Sequence, residues 1–146
     1  MKTVGIIVFF GTLFGLASML SNQDGRYDRE LQAEYRNWVK VMESHDIDVS
    51  KSENLQVLDF KNMSDDIAGE TNIFSDLIYV NEDMREHKAT VKAIIWHELG
   101  HYTFDLKHGE CDLMNAERFE HDYYKQNWRV LRAEYIETIL NKVNED

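Results

Sequence analysis

With 146 residues, 43 % of them hydrophobic and 29 % charged, the chain suits one globular domain with a modest core rather than a disordered segment. A net charge of −11 argues against a nucleic-acid partner, because phosphate backbones are neutralised by Lys and Arg. A single cysteine, Cys111, excludes an internal disulfide.

Residues 4–20 form a mostly apolar run behind Lys2. Two readings stand side by side: a signal peptide with a small-residue site at Gly15-Leu16-Ala17, or an anchor near the lower length limit of a bilayer span. Residues 1–20 are therefore set apart as signal peptide or N-terminal membrane anchor, with the membrane as that segment's partner. Residues 21–146 form a single domain, exported or membrane-anchored and outside the cytoplasm.

From Tyr27 onward Leu31, Tyr35, Trp38 and Met42 recur at the three-to-four spacing of an amphipathic helix, with Asp24 as a candidate cap. Residues 55–60 read as a strand, and Ile73-Phe74 with residues 77–80 as one or two more. Residues 90–102 read as a helix that buries one side through Val91, Ile94, Ile95, Leu99 and Tyr102. A last helix carries Tyr124, Trp128, Leu131, Tyr135 and Ile139 on one stripe, with Asn115 as its candidate cap. The order implies an α+β domain: a small sheet with an N-terminal, a central and a C-terminal helix.

The central helix carries the chemistry. In His97-Glu98-Leu99-Gly100-His101 the two imidazoles are four residues apart, so they stack on one helix face and both reach one Zn²⁺ at about 2.0–2.1 Å. Glu98, about 100° round the axis, sits off that line, where it can face a water on the metal as a general base without ligating. Catalytic zinc sites take three protein ligands, and His108 is the first candidate for the third. A continuing helix would carry it about 10 Å along the axis from His101, so the chain must turn between them. Asp105 is the pivot, since Asp tolerates left-handed backbone better than Phe104 or Leu106, and Gly109 frees the chain beyond the ligand. Glu117, Glu120 and His121, on the downstream helix, are competing donors.

These residues, with Leu113-Met114-Asn115 behind them, resemble metzincin-type zinc metallopeptidases, and among them small bacterial and phage zincins with HELGH, a third histidine and a short Leu-Met-Asn segment. Ile47-Asp48-Val49, residues 54–60, Ile67-Ala68-Gly69 and Ile78-Tyr79-Val80 are similar to that pattern as well. The chain departs from it at Phe104 and Lys107, where the familiar form has Gly and the third His; His108 comes one residue late. No tyrosine adjoins Met114. The resemblance implies a zincin fold for residues 21–146, a methionine beneath the metal, and an edge strand along the cleft, for which residues 75–80 are the candidate.

The expected activity is that of a zinc-dependent endopeptidase acting on peptide or protein substrates. His97, His101 and His108 hold Zn²⁺, carboxylates behind the rings orient them, and Glu98 carries the proton. Two alternatives stand beside it: a non-catalytic binding domain stabilised by a closed four-ligand zinc site, with Cys111 as the fourth donor, and a hydrolase of cell-wall peptide cross-links. Otherwise Cys111 is a small buried hydrophobe.

Overall fold

The computed structural model describes residues 26–115 and 121–145; residues 4–20, Asp24, Glu117 and Glu120 lie outside them. Among the described residues three helices and one four-stranded sheet form an α+β arrangement. In chain order these are β1 (Arg26–Tyr27), α1 (Arg29–Glu43), β2 (Val57–Lys61), β3 (Gly69–Asn72), β4 (Leu77–Asn81), α2 (Lys88–Phe104) and α3 (His121–Glu145), with single turns of 3-10 helix at Ser50–Asn54, Glu82–Met84 and Asp112–Met114.

Helix α1 buries Leu31, Tyr35, Trp38, Val39 and Met42, the face its spacing predicts. Its cap is Asp28 rather than Asp24: the Asp28 carboxylate accepts from the backbone N–H of Glu30 at 2.8 Å and Leu31 at 3.3 Å, satisfying donors the first helical turn leaves open.

The sheet order is β1-β2-β4-β3, with β1, β2 and β4 parallel and β3 antiparallel to β4. Leu58, Phe60, Ile78 and Val80 are buried, the alternation of strands packed on one face. Two expectations are corrected here. Ile73 and Phe74 are not a strand but the exposed turn between β3 and β4, Phe74 being 93 % exposed. Residues 77–81 are not an edge either: β2 and β3 flank them on both sides. Among the described residues the edges are β1 and, next to β4, β3, Gly69-Glu70-Thr71-Asn72.

The turn after β3 is set by Asp76 at φ 51°, held by the Tyr102 hydroxyl, which donates to Asp76 Oδ1 at 2.6 Å. Tyr102→Phe should therefore lower the unfolding midpoint by about 3 °C, the effect of one lost hydrogen bond of about 1 kcal/mol; calorimetry of the two proteins checks it.

Helix α2 differs from the one-sided helix of the sequence reading. Besides Val91, Ile94, Ile95, Leu99 and Tyr102 it buries Thr90, Ala93, Trp96, Glu98, Gly100 and Thr103, because α1, the sheet and α3 all pack against it. Trp96 meets Trp128 of α3 edge-on at 5.0 Å, and the fully buried Tyr135 donates its hydroxyl to the Trp96 carbonyl at 2.8 Å. The His-Glu-x-x-His segment is thus carried on a largely buried helix, where side chains have little freedom to move.

Candidate metal centre

The chain reverses where α2 ends. Asp105 adopts φ 53°, ψ 34°, the left-handed conformation that stops a helix, and Leu106, fully buried, sends its N–H back to the Gly100 carbonyl at 3.1 Å. Gly109 follows at φ 86°, a conformation favouring glycine, and donates its N–H to the Met114 carbonyl at 3.1 Å. The segment from 105 to 114 is thereby folded back over the helix that precedes it, with His108 between the two turns.

This reversal orients the imidazoles. His101 Nδ1 lies 2.6 Å from the Leu106 carbonyl and His97 Nδ1 lies 2.9 Å from the Leu113 carbonyl. A carbonyl only accepts, so each Nδ1 carries the proton, and each neutral ring is left with a bare lone pair at Nε2. The expectation that carboxylates orient these rings is corrected: two backbone carbonyls do so. Both belong to the 105–114 segment, which the helix C-cap and Gly109 return to the site.

His101 Nε2 stands 2.9 Å from His97 Nε2 and 3.0 Å from His108 Nε2. One donor nitrogen from each of the three rings falls within 4.8 Å of the others. With the Nδ1 atoms protonated, the short separation between His97 and His101 brings two lone pairs face to face, an arrangement that repels until a cation takes its place between them. Three imidazoles on one tetrahedral zinc stand about 3.3 Å apart, given Zn–N bonds of about 2.0–2.1 Å; the donors have the chemistry such an ion takes, with the two separations at His101 a little shorter than that and all three within 4.8 Å. Burial supports this by keeping the rings neutral. It pushes His97 down to about 4, opposed by its bond to the Leu113 carbonyl and reinforced by the two neighbouring histidines. His101 is lowered chiefly by burial too.

Among the described residues this trio is not joined by a fourth donor. His121 is engaged elsewhere: its Nδ1 is 2.6 Å from Thr90 Oγ1, and its ring stacks on His87 with centroids 3.4 Å apart. Cys111 is buried in the core, and burial raises its thiol above the ordinary cysteine range. Met114, with no exposed surface, lies beneath the helix, where its Sδ would stand 3.0 Å from a Cβ added at Gly100. Only glycine lets the methionine so close behind His97 and His101.

Glu98 keeps clear of the trio. Its carboxylate, in a residue 6 % exposed, accepts the Thr71 hydroxyl at Oε2 over 2.6 Å. Its pKa is pushed up to about 7, by burial first, with the Thr71 bond opposing and the charge of Glu70 adding. Glu98, His97 and His108 open onto one cleft of about 150 Å³, walled by Ile67, Ala68 and Gly69 on one side and Leu113 and Tyr124 on the other. The mouth is steadied by the buried Asn81, whose amide donates to the carbonyls of Ser64 at 3.2 Å and Ile67 at 2.8 Å. Thr71, Gly69, Asn81 and the two carbonyls are the site residues the sequence reading missed. Gly69 left a trace there, as part of Ile67-Ala68-Gly69, and Leu113 another, as part of Leu113-Met114-Asn115.

No protein-family model, curated protein or solved structure matches this chain.

Proposed function

We propose that the protein is a zinc-dependent endopeptidase of zincin type, with His97, His101 and His108 as the metal ligands and Glu98 as the general base. The observation that carries this reading is the tautomer argument. Two imidazoles are locked by backbone carbonyls so that their bare nitrogens meet those of a third ring, while the carboxylate of Glu98 is turned aside to Thr71.

A zinc ion held there supplies a Lewis acid for a carbonyl oxygen and acidifies water towards neutrality. The chain's own residues do the rest. The Glu98 carboxylate accepts the proton of the attacking water and releases it to the departing amine. Ile67 and Ala68 give the cleft an apolar wall against which a substrate side chain can lie. The free edge of β3 offers main-chain hydrogen bonds to an extended peptide, so a substrate lies on residues 69–72, beside Glu98.

A closed structural zinc site has no use for Glu98. Burying a carboxylate costs several kcal/mol unless it is compensated, and a fold held by metal alone loses nothing with Leu in that place. The cleft beside it likewise favours a substrate over a fourth ligand.

Metal analysis and casein hydrolysis test the proposal together. The zinc-loaded protein should hold one zinc per chain and cut casein, and dialysis against a chelator should end both. Zinc at a hundredfold excess over its dissociation constant should raise the unfolding midpoint by about 8 °C, the equivalent of about 2.7 kcal/mol. Tight zinc without cleavage of casein or of cell-wall peptide returns the site to a structural role; cleavage of cell-wall peptide alone changes the substrate and keeps the mechanism.

A further inference from the structure

Side chains alternate between the faces of a strand, so Gly69 and Thr71 share one face of β3. That face lies on α2: Thr71 reaches Glu98, and a Cβ added at Gly69 would stand 2.7 Å from both Glu98 Oε1 and Ile94 Cγ2. The two carboxylate oxygens are therefore distinguished. Oε2 is held by the Thr71 hydroxyl at 2.6 Å, in the range of a charge-assisted O–H···O⁻ bond, and Oε1 fills the space that glycine leaves open on the cleft wall.

A hydroxyl bonded to a buried carboxylate is a poor way to fasten a strand to a helix. A bond to a backbone carbonyl does the same without desolvating a charge, and the Glu98 carbonyl is within 3.3 Å of the same hydroxyl. The bond to Oε2 does something a fastening does not: it removes the free rotation of the carboxylate about its last torsion, which is otherwise broad.

Resting on the reading of Glu98 as general base, we propose that Thr71 is a positioning residue. Its hydroxyl fixes the Glu98 carboxylate through Oε2 and leaves Oε1, on the Gly69 side, as the oxygen that accepts the proton. Since Thr71 belongs to the strand on which the peptide is laid, the base and the substrate are registered by one element.

Thr71→Val removes the hydroxyl at constant shape, and Thr71→Ser restores it. In the zinc-loaded enzyme Thr71→Val should lower kcat by about tenfold to a hundredfold, the usual effect of a misplaced catalytic group, with KM and zinc content near wild type; Thr71→Ser should recover most of the loss. A second measurement needs no activity. In the metal-free protein Thr71→Val should lower the unfolding midpoint by about 4 °C when Glu98 is present and by less than about 1 °C in a Glu98→Ala background, because coupled residues are not additive. Equal losses in both backgrounds overturn the bond. A kcat for Thr71→Val equal to wild type, or a serine variant as poor as the valine one, overturns the positioning role alone. A wild type that hydrolyses nothing overturns the peptidase reading and the positioning role with it, while the unfolding cycle still decides whether Thr71 holds Glu98.

Discussion

Glu98→Gln should lower hydrolysis by about 10²- to 10⁴-fold, the range attributed to a general base, with zinc content still at one per chain. The amide has nearly the shape of the carboxylate and can still accept the Thr71 hydroxyl, so β3 and α2 keep their contact. What it cannot do is accept a proton from water. The metal donors are unaffected, because His97 and His101 are held by the carbonyls of Leu113 and Leu106 and not by Glu98. Stability should move the other way. Glu98 is 6 % exposed, and neutralising a carboxylate buried beside a single hydroxyl removes a desolvation cost, so the unfolding midpoint should rise by a few degrees, on the order of 1 kcal/mol. A variant more stable and almost inactive is the signature of a group retained for chemistry. Undiminished hydrolysis by Glu98→Gln would remove the mechanism, and loss of zinc would show that the carboxylate belongs to the metal's surroundings after all.

Much of this architecture was legible because it depends on local rules. The i, i+4 spacing of His97 and His101 puts two rings on one face in any helix. Leu58, Phe60, Ile78 and Val80 alternate as half-buried strands do. The left-handed pivot at Asp105 followed from the need to bring His108 back, and the reversal is there. Other parts depend on contacts between distant segments, and these left little trace. Strand β3 reads Gly-Glu-Thr-Asn, with no apolar alternation, because one face of it covers a polar group on α2 and, among the described residues, its outer edge pairs with no strand. Residues 75–80 look like an edge in the sequence, yet the hydrophobicity of Leu77–Val80 is what an interior strand requires. The orienting groups of the imidazoles were equally hidden, since a backbone carbonyl is present at every residue and only the path of residues 105–114 selects those of Leu106 and Leu113. His108 and His121 were separable only in three dimensions, where His121 is taken up by Thr90 and His87.

Gly69→Ala carries the other large expected effect, and it acts on the same carboxylate from the opposite side. A methyl there would stand 2.7 Å from Glu98 Oε1, 2.7 Å from Ile94 Cγ2 and 3.0 Å from Glu98 Cγ, all closer than non-bonded atoms tolerate. Helix α2 is held by α1, the sheet and α3 together, so it yields less readily than the strand. Among the described residues strand β3 has only β4 as a partner, so this edge strand must lift or the Glu98 side chain must leave its rotamer. Overpacking of this kind costs about 1–3 kcal/mol, which for a domain of this size lowers the unfolding midpoint by about 3–9 °C. Either response moves the base relative to a peptide on β3, and a displacement on the order of 1 Å at a reacting group costs about a hundredfold in rate. Zinc content should be unchanged, because the three atoms nearest the added methyl belong to Glu98 and Ile94 and not to a histidine. Pairing the substitution with Glu98→Ala relieves the clash with the carboxylate and should restore part of the lost stability without restoring activity. If Gly69→Ala hydrolyses casein as the wild type does, the close approach of β3 to Glu98 has no part in catalysis, and the edge strand serves the fold alone.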